Sequence, residues 1–172
     1  MKSLICAAFI VLSVAFGVKA QTIEFAAAEK MKLYAVRLKP NQDLRAELER
    51  FVKENKISAG FIITTVGSLK KAKIRLADQS EATEFAGKFE IVSLTGTLAA
   101  DGVHLHISFS DEKGATIGGH LTTGCTIYTT AEIIVGGTDE IVFTRETDSE
   151  TTYKELKIRP KKPKKKSGQR PL

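Results

Sequence analysis

The chain has 172 residues, 26 of them Lys or Arg and 20 Asp or Glu, for a net charge of +6, and 42% of it is hydrophobic. That is enough apolar material for one self-supporting core, and the composition excludes a chain disordered throughout. The positive charge is not spread evenly. Nine basic residues and no acid fall in the first 20 and last 14 positions, so the body from Gln21 to Ile158 holds 17 basic against 20 acidic side chains, a net of −3. A domain that grips duplex phosphate usually carries a basic face of its own, because such affinity comes largely from neutralising backbone charge, so any polyanion binding is expected to reside in the tail.

Positions 1–20 predict a secretory signal peptide. Lys2 supplies the positive head, Leu4 to Val18 an apolar run short for a bilayer, and Val18 and Ala20 the small residues before a cut at Gln21. The competing readings are an uncleaved anchor and a buried helix. With the signal removed the chain is expected to be secreted, to have no membrane span, and to keep Cys125 as its sole cysteine. No disulfide framework then exists, and a buried inert thiol is the favoured role for Cys125.

In chain order, Met31 to Leu38 reads as a first strand closed by Pro40. The segment NQDLRAELERFVKENKI follows, with Leu44, Leu48, Phe51 and Val52 at helical spacing, Asn41 or Asp43 as the start cap, and Asn55 near the end. Nearly everything afterwards reads as strand. Ala59 to Val66 is broken by Gly67, and Ala72 to Leu76 alternates, with Lys73 and Arg75 on one side. Phe89 to Leu98 carries Gly96 as a candidate bulge, and Asp101-Gly102 turns into Val103 to Phe109. After the turn Asp111 to Gly114 come Thr116 to Leu121 and Cys125 to Val135, the latter ended by Gly136-Gly137, and two short closing strands at 141–145 and 153–158. One early helix and many hairpin-linked strands predict an α+β domain with a largely antiparallel sheet.

All three histidines lie in one hairpin-sized stretch: His104, His106 and His120. Strand alternation turns His104 and His106 to one face, and an antiparallel partner brings His120 beside them. Three imidazoles on one β surface suit a divalent ion, with zinc the natural choice; otherwise they are ordinary strand residues. Gly118 and Gly119 before His120 permit close backbone approach, or simply form a bulge. Three protein ligands leave a coordination position open, and Cys125, five residues past His120, points to the opposite face of an extended strand. Any hydrolytic or carbonyl chemistry there needs a base. Glu90 and Glu132, carboxylates inside apolar strands, are the candidates, and buried structural glutamates are the alternative.

Arg159 to Leu172 (RPKKPKKKSGQRPL) reads as a disordered basic tail. Lys161, Lys162, Lys164, Lys165 and Lys166 form its polyanion-binding candidate, and a purely solvating tail is the alternative. Should the signal be misread, the same lysines are a nuclear address.

The stretches GSLKKAKIRLAD (Gly67–Asp78), GKFEIVSLTGTLAADGVHLHISFSDEKGATIGGHL (Gly87–Leu121) and TTAEIIVG (Thr129–Gly136) strongly resemble the plants-and-prokaryotes-conserved (PPC) domain. The likeness runs from about Leu33 to Ile158. It implies a compact α+β fold assembled as a homotrimer, with His104, His106 and His120 matching the metal ligands of bacterial-type members and Phe89, Glu90 and Ile91 matching a Phe-Glu-Ile motif. Plant members bind AT-rich DNA through an attached AT-hook. This chain has no Arg-Gly-Arg-Pro core, only Arg159-Pro160-Lys161-Lys162. The sequence therefore supports a metal-binding, secreted, homotrimeric module without assigning a reaction. Nucleic-acid or polyanion binding through the tail is the alternative, and a purely structural assembly domain the third reading.

Overall fold

The computed structural model describes residues 23–161, so the expected signal at 1–20 and the tail lysines 162, 164, 165 and 166 lie outside the described residues. Eight strands and one helix follow one another as β1 (Lys32–Leu38), α1 (Leu44–Glu54), β2 (Ala59–Arg75), β3 (Thr83–Ala99), β4 (Gly102–Ser110), β5 (Thr116–Leu121), β6 (Thr126–Thr138), β7 (Ile141–Thr147) and β8 (Lys154–Pro160). Among the described residues no helix is long and apolar enough to cross a membrane.

The helix forms where its apolar spacing places it. Leu44, Leu48 and Val52 are fully buried, and Phe51 meets Tyr34 of β1 edge-to-face at 5.5 Å. Of the two candidate caps, Asp43 does the work: its carboxylate accepts from the Ala46 N–H at 2.9 Å and from the Gly124 N–H at 2.6 Å. Asn41 instead takes a left-handed turn, and its side chain accepts from Lys70. The backbone N–H of Leu44 donates to the Cys125 carbonyl at 2.8 Å, which ties the helix start to the approach of β6.

Six strands form one antiparallel sheet in the order β1-β6-β2-β3-β4-β5. The sheet curls far enough for β5 to return to β2, where Ile74 pairs with Leu121 and Arg75 with His120. One edge of β2 thus serves two partners, β6 as far as Lys71 and β5 at its end. The enclosed side is the core: Leu69, Ile74, Leu98, Leu105, Phe109 and Ile127 are fully buried, together with the helix.

Three expectations about strand ends change. Gly67 does not break β2, which runs for 17 residues because register shifts around Gly67–Leu69 and Leu69–Lys71 absorb the irregularity. Gly136 and Gly137 lie inside β6, where the Phe61 ring occupies the space a side chain at Gly136 would need. Gly96 pairs in regular register, and the irregularities of β3 fall between Ile91 and Ser93 against β4 and between Ala86 and Phe89 against β2.

β7 and β8 form a separate two-stranded sheet docked beside the start of β2 and the β3–β4 turn through the Phe143 N–H on the Ser58 carbonyl (2.9 Å) and the Arg145 N–H on the Asp101 carboxylate (2.8 Å). β8 continues past Ile158 to Pro160, into the segment read as tail. Arg159 and Pro160 pair with Val142 and Ile141, Arg159 contacts Glu146 at 2.7 Å, and the Lys161 N–H donates to the Glu140 carbonyl. Their pairing partners lie too far back in the chain for a local composition argument to see.

Candidate metal centre

β4 and β5 are joined by a turn in which the Asp111 carboxylate accepts from the N–H groups of Lys113 and Ala115, both at 2.9 Å. That turn sets the register, and the register places His120 directly opposite His106. The pairing continues on both sides, Thr95 of β3 facing His106 and Arg75 of β2 facing His120. A row of four residues, Thr95, His106, His120 and Arg75, therefore crosses four strands on the outer face, with His104 two positions along β4 beside Thr97.

Two glycines make this row possible. A Cβ on Gly119 would lie 2.6 Å from the Arg75 carbonyl oxygen, so only glycine lets β5 close against β2 beside His120. Gly96 has φ +137°, and a Cβ there would stand 2.0 Å from the His104 carbonyl oxygen. The close approach anticipated for the Gly118-Gly119 pair holds for both, Gly119 against β2 at the seam and Gly118 against β4, where a Cβ would lie 3.0 Å from the Ile107 carbonyl oxygen.

The imidazoles meet. The His104 and His120 rings stack with centroids 5.2 Å apart, and His106 meets His120 edge-on at 4.3 Å. One ring nitrogen from each of the three lies within 4.8 Å of the others. His104 Nε2 and His120 Nδ1 are 3.3 Å apart. Two nitrogens bound tetrahedrally to one zinc at ~2.05 Å are separated by about the same distance. The spacing of this pair is that of one edge of a coordination tetrahedron, and His106 is exposed beside it.

Burial, followed by the neighbouring Arg145, lowers the proton affinity of His104; burial, followed by Arg75, does the same for His120. Both effects favour the neutral imidazole, the form that binds metal. The donor set, spacing and protonation all fit a borderline-soft divalent ion.

Cys125 is not part of the cluster. Its buried Sγ sits 3.2 Å from both the N–H and the carbonyl of Lys73, and burial pushes its thiol up to about 11. Nor do Glu90 and Glu132 join the imidazoles. Both are exposed. Glu90 faces Ser110, four residues beyond His106 along β4, or about 13 Å at the rise of a strand. Glu132 lies on β6, opposite Arg37 and Val66, and β6 pairs with neither β4 nor β5.

What sequence reasoning missed is the polar company of the histidines. Arg145 on β7 places Nη1 3.3 Å from His104 Nδ1 and Nη2 2.7 Å from Thr97 Oγ1. Arg75 stands next to His120, and Glu155 on β8 is the carboxylate whose field reaches both His104 and Arg145. A signal for Arg75 existed in the alternation of 72–76. None existed for Arg145 or Glu155, whose hairpin is docked from 40 residues downstream.

The family model of the Plants and Prokaryotes Conserved (PCC) domain matches residues 25–139. The chain belongs to this family. Matched relatives of the PCC domain include the bifunctional protein GlmU of Synechococcus sp. (strain JA-3-3Ab), 48% identical over 128 residues, which are 74% of this chain and 21% of that protein. The chain therefore spans about a fifth of the length of such relatives. Among solved PCC-like structures, a hypothetical protein from Salmonella cholerae-suis superposes with a TM-score of 0.76 at 38% identity, covering 78% of this chain and 97% of that one. A protein from Archaeoglobus fulgidus, described as metal-containing, gives 0.63 at 25% identity with the same coverage.

Proposed function

We propose that this PCC domain is a metal-binding module in which His104, His106 and His120 hold one divalent ion, zinc by the softness of the donors, with one coordination position left to an exogenous ligand. The observation that carries the reading is the meeting of three ring nitrogens on one outer β surface, two of them at the spacing of a coordination edge. A zinc ion there supplies Lewis acidity to whatever occupies its remaining position. The chain's own part is to keep two imidazoles neutral and to surround them with Arg145, Arg75 and Thr97. Elemental analysis of the purified chain after exhaustive dialysis tests the reading, and a folded protein without metal removes it.

Two further parts of the proposal concern its setting. The N-terminal pattern supports export. Exposed Leu33, Ile63, Val66 and Val92 on β1, β2 and β3 offer a second copy of the chain apolar surface to cover, which supports a homotrimer. A sedimentation mass of three chains is expected; a monomer at all concentrations overturns the assembly.

A second reading rests on the charge of the C-terminus, where residues 162–172 carry five basic side chains and no acid. Polyanion binding there predicts that the full chain is retained on immobilised heparin and elutes steeply with salt, whereas deletion of 162–172 abolishes retention. Undiminished retention of the deleted chain places the affinity elsewhere.

A further inference from the structure

We propose that the cleft beside the three histidines is a binding site for a small molecule bearing an oxyanion, with Arg145 as its principal anchor and Arg75 as the second. This deepens the metal reading and takes from it only the position of the neighbouring ion.

Among the described residues, Arg145 lacks an anionic partner. Its guanidinium is half-buried, and its two contacts are neutral acceptors, Thr97 Oγ1 and His104 Nδ1. Among the described residues no carboxylate lies within ion-pair distance of it. Arginine presents five donors in a planar fork matched to carboxylate and phosphate, and withdrawing its charge from water without an anionic partner is costly.

Arg145 and His104 are also short of acceptors once a metal is bound. His104 Nε2 is the nitrogen that faces His120. A neutral imidazole that gives Nε2 to a metal carries its proton on Nδ1. Nδ1 is then a donor aimed at Arg145, itself donor-only. The contact at 3.3 Å loses its acceptor, and the guanidinium needs an oxygen from another source. An oxyanion beside the metal provides one.

The space beside the imidazoles has room and charge for an anion. Arg145, His104 and His120 open onto a cleft of about 1460 Å³, far more room than a bare ion requires. Lys73, Arg75 and Lys154 also line it, and none of them is ion-paired among the described residues. Arg75 donates only to the Gln79 carbonyl, at 3.2 Å. Arg45 is the basic group there already neutralised, by Glu49 at 2.9 Å. Of the acids on the cleft, Asp101 accepts the Arg145 N–H, Glu155 accepts the Thr151 hydroxyl, and Asp78 and Glu81 are exposed. The unpaired basic groups thus flank the imidazoles, with Arg75 in the same cross-strand row as His120.

The test is calorimetric titration of the full metal-loaded chain with inorganic phosphate and, separately, with malonate, with metal content measured on the same samples. At least one anion is expected to bind. Arg145→Gln should weaken it by about ten-fold or more, and Arg145→Lys should recover part of the loss, as expected for a charge-assisted contact. The two probes distinguish a phosphate from a carboxylate source. Binding of neither anion to protein carrying its metal overturns the proposal, as does equal binding by parent and Arg145→Gln. If Arg145→Gln does not fold, Arg75→Gln takes its place, and unchanged anion affinity in that variant is equally fatal. A parent that holds no metal yet binds anion through Arg145 removes the metal reading and leaves this one standing.

Discussion

Replacing His104 and His106 together by alanine is expected to reduce metal content from about one ion per chain to background while leaving the protein folded. Two of the three proposed ligands disappear, and the single remaining imidazole of His120 cannot retain an ion against dialysis. The fold should survive because both rings sit on the outer face, whereas the neighbouring Val103, Leu105 and Ile107 carry the burial of β4. Exposed substitutions of this kind cost about 0.5 kcal/mol or less each. Elemental analysis beside a thermal melt reads both halves of the prediction. Metal persisting in the variant places the ion elsewhere, and a collapsed melt makes the histidines structural.

The opposite pattern is expected for Gly96→Ala, which touches no ligand side chain. The added methyl would meet the His104 carbonyl oxygen at 2.0 Å and Leu105 Cα at 2.9 Å, and both are backbone atoms that no rotamer change can move. The φ of +137° is itself unsuited to an L side chain. Strands β3 and β4 must part where His104 is held, at a cost of about 3 kcal/mol or more, or a fall in Tm of roughly 10 °C. Metal affinity should fall with it, because the displaced carbonyl belongs to a ligand residue. An unchanged melting curve shows that the strand pair adapts freely and removes the argument for close approach.

Much of this site was legible from residue order alone. The period of two along β4 puts His104 and His106 on one face, and a short turn brings β5 back beside them, so the meeting with His120 required only local rules. The helix was equally legible from Leu44, Leu48 and Val52. What local rules cannot supply is register between distant strands. The return of β5 to β2, which seats Arg75 beside His120, depends on sheet curvature, and the docking of β7, which delivers Arg145, depends on tertiary contacts with Ser58 and Asp101. Glu90 and Glu132 show the complementary gap. Apolar neighbours identify a strand, but they do not say which carboxylates the folded sheet brings to the imidazoles, and these two end up exposed on other parts of it.

The closeness of the ligands along the chain bears on the order in which the centre assembles. All three imidazoles belong to the hairpin Gly102–Leu121, whose ends are brought together by one tight turn at small entropic cost. Contacts of such short sequence separation form early, whereas Arg145 reaches His104 only after a further pair of strands has been laid down and docked. On the proposed metal reading, the nascent chain has its three imidazoles in hand before the cationic wall of the cleft exists, so an ion would brace the hairpin while the rest of the sheet is still being built.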